Sequence, residues 1–201
     1  APPELLKQDP LMTVTEKGTL VLESGNYQLT DDILQVDNEA LHMHWMCKLF
    51  IHNAPHAIVA YLGWMKGYTY IHEAMADEDI HEVVVGSINE ITNGVISSGL
   101  AEKEYAHYYK EKELKRFSNS LLFDTIERVA REPLRKIAQN NRLVLALRIA
   151  LFNGVLPEYT AKGLKAALFY NNPSDEESVY FQKLRDTTQD SELLEKFSGI
   201  E

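Results

Sequence analysis

Cysteine and positive charge are both scarce in this sequence. Cys47 is the single cysteine among 201 residues, so the chain cannot form an internal disulfide. The 20 Lys and Arg residues face 30 Asp and Glu residues, which gives a formal net charge of −10. An acidic chain is a poor default partner for nucleic acid or an anionic membrane, so we predict neither. A lone thiol is compatible with a reducing compartment, and we expect a cytoplasmic protein.

Long hydrophobic runs and glycine-rich motifs are missing as well. The longest central stretch without Asp, Glu, Lys or Arg, residues 49–65, contains two His, an Asn and a Pro, and is slightly short for a membrane span. Residues 1–10 lack the apolar core of a signal peptide. The ten glycines form neither GxGxxG nor GxxxxGK[ST], so the sequence carries no nucleotide-phosphate loop.

Apolar residues at helical spacing are abundant. Hydrophobic residues make up 45% of the chain, which is enough for a sizeable core. One stripe of period 3.6 runs along residues 78–98. Its members are Ile80, Val83, Val84, Ile88, Ile91 and Val95. Helices are predicted at 38–65, 70–76, 78–98, 101–116, 122–138, 141–152, 158–171, 174–187 and 191–197. The predicted fold class is therefore mainly α, a multi-helix domain.

Strand character is confined to the first two dozen residues. Residues 11–15 and 19–22 are β-prone and flank a turn signal at Gly18, so we predict a short β-hairpin or edge strands near the N-terminus. Such a pair is marginal alone and needs a surface to pack on. Thr30-Asp31-Asp32 can cap a helix. The predicted organisation is a linker with strands at 1–29, followed by an all-helical domain at 30–201.

A polar stripe lies in the first long predicted helix. His44, Lys48, His52 and His56 are four residues apart and climb one face. At about 100° per residue, Asn53 falls roughly 140° and His56 roughly 80° from Lys48, so these three project from one side. A lysine, an amide and an imidazole on a mostly apolar helix are costly to bury unless they serve one another or a ligand.

Three interpretations of this stripe stay open from the residues alone. It can be a solvated face or a satisfied core network in a non-catalytic helical interaction domain. His44, His52 and His56 have the spacing of metal ligands, although the cation Lys48 lies among them. The third interpretation is metal-independent acid–base catalysis, with a partly desolvated Lys48 as general base, Asn53 donating to an alkoxide or carbonyl oxygen, and His56 orienting that oxygen. This trio suits the reversible oxidation of a secondary alcohol.

A cationic cluster, RVAREPLRK, occurs later in the acidic chain. On one helix Arg128, Arg131 and Arg135 would share a face, with Lys136 about 100° further round. Arginine forks suit bidentate recognition of phosphate. The alternative is a solvated face in which the neighbouring glutamates pair with these cations.

These residues carry a family likeness. The pattern Lys48-x4-Asn53-x2-His56 in KLFIHNAPHAIVAYLG, followed far along the chain by REPLRK, resembles the signature of the polyol-specific long-chain dehydrogenases, the mannitol dehydrogenase family. Within that family, the nearest pattern is that of the enzymes acting on mannitol 1-phosphate. Further matching segments are GW at 63–64, GY at 67–68 and FSGI at 197–200. Pro55 departs from the small residue usual before the family's histidine.

The resemblance implies that this chain is the C-terminal part of a two-domain NAD-dependent enzyme. NAD would be held mainly by an N-terminal Rossmann domain that is not in the sequence, so the chain would be inactive alone. Residues 1–29 would extend the sheet of that domain. The implied reaction interconverts mannitol 1-phosphate and fructose 6-phosphate. Free mannitol and hexuronates are the alternative substrates.

The resemblance also implies roles for individual residues. Lys48 is the implied general base, and Asn53 and His56 bind and polarise the reacting oxygen. Residues expected to bind the polyol or sugar phosphate are Arg131, Arg135 and Lys136. No residue of this chain is expected to bind NAD or a metal.

Overall fold

The computed structural model describes residues 20–25, 33–154 and 156–200. Two strands come first, β1 (Leu20–Glu23) and β2 (Ile33–Val36). The helices are α1 (Asn38–Cys47), a π-helical turn (Lys48–Asn53), α2 (Ala54–Met65), α3 (Ile71–Ala76), α4 (Glu78–Ser97), α5 (Lys103–Phe117), a 3₁₀ turn (Ser120–Leu122), α6 (Ile126–Ala130), α7 (Pro133–Ile137), α8 (Arg142–Leu151), α9 (Glu158–Leu168), α10 (Glu176–Arg185) and α11 (Asp190–Ser198). The predicted mainly α fold class is confirmed.

The two strands form a parallel pair near the N-terminus. Leu20 lies opposite Ile33, and Glu23 lies opposite Val36. Strand β1 overlaps the strand predicted at 19–22, whereas the strand predicted at 11–15 falls outside the described residues.

Strand β2 lies within the range that was predicted to be helical from Thr30. The β-prone run ILQV pairs with β1 instead, and the first helix begins later, at Asn38. The side chain of Asp37 caps that helix by accepting a hydrogen bond from the backbone N–H of Ala40 at 2.8 Å. The predicted cap at 30–32 lies outside the described residues.

The core surrounds α2, which packs against α4 and α9. The predicted stripe on α4 is buried except at Val83, which is half-buried at the edge of the core. Helix α9 approaches α2 closely at Gly163, where an added Cβ would lie 2.4 Å from Cγ1 of Ile58. Packing of this kind holds α2 rigidly, and α2 carries His56. Within the described residues, no helix is long and apolar enough to cross a membrane.

The helix predicted at 122–138 is wrong, because the chain breaks it twice. Phe123 adopts a left-handed conformation (φ 48°) after the 3₁₀ turn, and Glu132 does so again (φ 59°) between α6 and α7. Pro133 lacks the N–H that a continuous helix would need at that point. The predicted helical phase across the cationic cluster is therefore lost.

Candidate active site

A single π-helical turn, Lys48–Asn53, joins α1 to α2. Backbone hydrogen bonds in a π-helix link residues five apart, so Asn53 lies one turn above Lys48 on the same side of the helix. The separation of roughly 140° predicted for a regular α-helix is therefore wrong at this step. Pro55 follows in the first turn of α2, where its missing N–H and its ring fit the change from π- to α-helical geometry.

Lys48 and Asn53 present polar ends without partners. Lys48 is exposed and Asn53 is half-buried. Within residues 20–25, 33–154 and 156–200, neither side chain makes a hydrogen bond or ion pair. The desolvation expected of a lysine general base is thus not supplied by this part of the chain.

His56 is held against the helical core. Its Nε2 lies 3.0 Å from Oδ2 of Asp124, and the side chain is only 12% exposed. The ring stacks on Phe117 with a centroid distance of 5.0 Å and an interplanar angle of 12°. Burial lowers the pKa of His56, and the opposing hydrogen bond to Asp124 does not cancel this effect. The imidazole is therefore neutral near pH 7.

His52, one turn before His56, has a carboxylate partner of its own. Its Nδ1 lies 2.6 Å from Oε2 of Glu113, which is almost completely buried. Burial raises the pKa of Glu113, but the hydrogen bond and charge of His52, together with Arg116, outweigh burial and leave the pKa below its usual value. The rings of His52 and His56 lie 5.0 Å apart. Two histidine–carboxylate pairs therefore lie side by side against Phe117.

Asp124 is fixed from several directions. Arg128 contacts its Oδ1 through Nη2 and through Nε at 3.0 Å. The backbone C=O of Asp124 accepts a hydrogen bond from the N–H of Ile71 at 2.9 Å. Burial raises the pKa of Asp124, but the hydrogen bonds from His56 and Arg128 outweigh burial, so its pKa is lowered. The carboxylate is ionised at neutral pH.

Glu113 and Asp124 were not singled out from the sequence. Glu113 lies 61 positions from His52, and no local pattern links two residues that far apart. The local signal at Asp124 is its place just before Thr125, which caps α6 by accepting from the N–H of Arg128 at 3.4 Å. That signal predicts a helix start, not a contact with His56.

The three histidines of the stripe face different partners. His44 bonds through Nδ1 to the hydroxyl of Tyr105 at 2.5 Å, whereas His52 and His56 pair with Glu113 and Asp124. Among the described residues, no group of three or more His, Cys, Asp or Glu side chains is arranged to hold a metal ion. The set His44, His52 and His56 is therefore not brought together.

The cationic cluster is dispersed by the break at Glu132. Arg128 binds Asp124, and Arg135 binds Glu132 through Nη2 and through Nε at 2.6 Å. Arg131 is exposed, and its side chain makes no hydrogen bond or ion pair in the described part of the chain. The prediction that the three arginines share one helix face is wrong, because the backbone reverses its local hand between them.

Lys136 is buried, with 3% of its surface exposed. No described residue forms a hydrogen bond or ion pair with its ammonium group. Burial, followed by the positive charges of Arg142 and Arg135, lowers the pKa of Lys136 to about 7. Glu132 and Asp175 act on this group only through their more distant charges, so a buried amine without a direct partner among the described residues is a candidate contact for an anion or a hydroxyl.

An open cleft of about 570 Å³ adjoins the cluster. Arg128 and Arg131 line it. Its walls also carry the acidic residues Glu127, Glu132, Asp175, Glu176 and Glu177. The mixed charge means that the cleft as a whole is not a simple phosphate pocket, and Lys136 is not among the residues that line it.

Comparison with known proteins identifies the class. Residues 40–198 match the family model described as the mannitol dehydrogenase C-terminal domain, and the chain belongs to that family. The predicted family resemblance is confirmed.

Particular relatives narrow the comparison. The chain is 35% identical over 154 residues to mannitol-1-phosphate 5-dehydrogenase of Caldanaerobacter subterraneus, covering 77% of this chain and 40% of that protein. It is 37% identical over 155 residues to the enzyme of the same name from Oceanobacillus iheyensis, covering 77% of this chain and 40% of that protein. For the same-named Exiguobacterium enzyme the identity is 41% over 132 residues, covering 65% and 34%.

A solved structure with the same fold is that of Pseudomonas fluorescens mannitol 2-dehydrogenase in a ternary complex with NAD and D-mannitol. Its TM-score is 0.61 at 22% sequence identity, covering 82% of this chain and 34% of that chain. The present chain thus spans about two fifths or less of the length of these relatives.

Proposed function

We propose that this chain is the substrate-binding and catalytic domain of an NAD-dependent dehydrogenase that interconverts mannitol 1-phosphate and fructose 6-phosphate. The observation that carries the proposal is the π-helical turn, which puts Lys48 and Asn53 on one side of a helix that continues to His56. Two comparisons also support the proposal. The chain matches the family model, and relatives named mannitol-1-phosphate 5-dehydrogenase are 35% and 41% identical to it.

In the oxidative direction Lys48 accepts the proton of the reacting hydroxyl, and Asn53 donates a hydrogen bond to the same oxygen. The hydride acceptor for the carbon would be supplied by bound NAD. The residues present here fit that division of labour, because no described residue forms a hydrogen bond or ion pair with the side chain of Lys48 or Asn53. The glycine motif that would hold a dinucleotide is absent from this sequence, so NAD would be bound mainly by an N-terminal Rossmann domain.

The exposure of Lys48 supports a site completed by another domain. A lysine general base works near neutral pH when it is desolvated, and Lys48 is exposed in this chain. Trp45 precedes it by three residues on α1 and is 60% exposed, so a large apolar side chain lies on the same exposed face. A domain docked over this face would bury both residues.

Arg131 and Lys136 are the proposed contacts to the sugar phosphate. Among the described residues nothing pairs with the guanidinium group of Arg131, and Lys136 is a buried amine whose charged form an anion would stabilise. Arg135 is a weaker candidate, because it already pairs with Glu132. Free mannitol or a hexuronate is the alternative substrate, and a substrate panel would distinguish them.

We also propose a cytoplasmic location, with which the single cysteine is compatible. Burial raises the pKa of the Cys47 thiol to about 12, so this thiol is neutral and shielded from solvent.

The test uses the enzyme that includes its nucleotide-binding domain. Lys48→Ala should abolish turnover while largely sparing NADH binding, because the substitution removes the proton acceptor and no contact to the dinucleotide. Lys165→Ala, at an exposed lysine of α9, is the matched control and should behave as wild type. Near-normal activity of the Lys48 variant would contradict the mechanism.

A further inference from the structure

The His56 ring uses one nitrogen and leaves the other open. Nε2 lies 3.0 Å from Oδ2 of Asp124. No described residue bonds to Nδ1, and 12% of the side chain remains exposed. An ionised carboxylate can only accept hydrogen bonds, so the nitrogen beside it must carry the proton. A neutral imidazole has only one N–H, and Nδ1 is then left as an acceptor.

The position of Asp124 is constrained by its backbone and by Arg128. The segment that carries it is tied down by a bridge between Tyr70 and Thr125 and by the bond from the N–H of Ile126 to the C=O of Thr69 at 2.9 Å. The preceding residue, Phe123, is held in the left-handed region, which a bulky residue adopts only when its surroundings enforce it. Arg128 occupies the other carboxylate oxygen.

We propose that Asp124 is the positioning residue of His56, holding the ring in the Nε2–H tautomer so that Nδ1 serves the substrate as a hydrogen-bond acceptor. This inference rests on the proposed function. It divides the work of the site: Asn53, which has N–H groups to donate, polarises the reacting oxygen, whereas His56 accepts from a substrate hydroxyl or from Lys48. A neutral Nδ1 acceptor cannot itself polarise a carbonyl, so the two residues are not interchangeable.

Other titratable and charged groups surround the His56 ring, and one of them provides a control variant for the experiment below. They are His52 on the π-helical turn, Glu113 and Arg116 on α5, His72 on α3, and Asp124 and Arg128 at the start of α6. A cavity of about 10 Å³, room for a single water molecule, lies among several of these side chains. The Nδ1 atom of His72 is buried there without a hydrogen-bond partner among the described residues.

The first test needs no activity. Long-range ¹H–¹⁵N correlation spectra of this chain should show His56 as the Nε2–H tautomer. In Asp124→Asn the Nδ1–H tautomer should become populated, because an amide can also donate to Nε2. The pKa of His56, read from its ring protons, should fall because the interactions with Asp124 that raise it are lost.

The matched control is Glu113→Gln, which makes the same change beside His52. It should alter the His52 signals and leave the His56 tautomer as in wild type. An Nδ1–H tautomer in the wild-type chain would overturn the proposal even if both variants failed to fold. An Asp124→Asn variant that folds and keeps the wild-type tautomer and pKa of His56 would overturn it as well.

The second test is kinetic and uses the enzyme with its nucleotide-binding domain. Asp124→Asn should lower kcat/KM for the polyol by about 10- to 100-fold, by analogy with the loss seen when the partner that orients a metal-binding histidine is removed. If Lys48→Ala and His56→Ala keep activity, the proposed function fails whatever the tautomer. If both lose activity while Asp124→Asn keeps wild-type kcat/KM, the inference about Asp124 fails alone.

Discussion

At the scale of single residues, Lys136 is a proposed substrate contact whose burial costs stability. Its folded pKa of about 7 lies well below the usual value of 10.5, so the unfolded chain binds a proton more tightly. The penalty of burying the charge is fully present below pH 7, and it disappears as the pH rises towards 10.5. A group that opposes folding is retained when it has another use.

Replacing Lys136 by Met should therefore stabilise the chain at pH 7. We expect the free energy of unfolding to rise by about 1–4 kcal/mol, as when buried charges give way to apolar groups of similar volume. The gain over wild type should shrink between pH 7 and pH 10, because over that range unfolded wild-type Lys136 binds a proton that the folded form has largely lost, so rising pH favours the folded wild type. Urea unfolding at the two pH values measures this.

Lys165→Met is the control for the Lys136 variant, because Lys165 is exposed and its replacement should change stability little. In the complete enzyme Lys136→Met should also raise KM for the sugar phosphate. A variant that is destabilised equally at both pH values would contradict the assignment of a buried, unpaired ammonium group.

Residue by residue, the sequence predicted Lys48, Asn53 and His56 because their spacing is local. It could not predict that Lys136 would be buried while Arg131 stays exposed, since both lie in one short cationic run. Burial depends on which helices pack over the run, and those helices come from residues far along the chain.

At the scale of elements, the site depends on the contact between α2 and α9. Gly163 allows that contact, since any larger residue would meet Ile58. Helix propensity alone predicts that Gly163→Ala should stabilise α9 by about 1 kcal/mol. Steric overlap predicts the opposite, and the closeness of the approach, 2.4 Å, favours the overlap.

We expect Gly163→Ala to lower the free energy of unfolding by about 1–3 kcal/mol, as typical overpacking does. The double variant Gly163→Ala, Ile58→Ala removes the obstructing side chain. Its loss should be smaller than the sum of the two single losses, which urea unfolding of all three variants tests. An additive double variant, or a stabilised Gly163→Ala, would show that the two helices are not in such close contact.

The sequence predicted some helices correctly but missed one turn and two helix breaks. The amphipathic stripe of α4 carries strong periodicity, and the long helical stretch from α1 to α2 was predicted as well. The π-helical turn was not predicted, because its residue types do not distinguish it from an α-helical turn and only the backbone hydrogen bonds differ. The breaks at Phe123 and Glu132 were missed because neither residue type favours a left-handed conformation.

At the scale of the whole molecule, the chain spans about 40% of the length of relatives such as the Caldanaerobacter enzyme. A fluorescence titration of this 201-residue chain with NADH should show no micromolar binding, because the sequence contains no dinucleotide loop. The enzyme with its nucleotide-binding domain is the positive control. Micromolar binding by the chain itself would contradict the proposal that NAD is held mainly elsewhere.

The sequence by itself determined the helical class, the family, and the identity of the lysine, the asparagine and the histidine that we propose for catalysis. The helical class depends on local periodicity, whereas the family and the three residues depend on a resemblance between short sequence motifs, and all of these can be read without a fold. Only the tertiary structure decided that Asp124 and Glu113 pair with the histidines, that the arginines separate, and that Lys136 is buried. Those facts depend on contacts between residues distant in sequence, and such contacts exist only once the helices have packed.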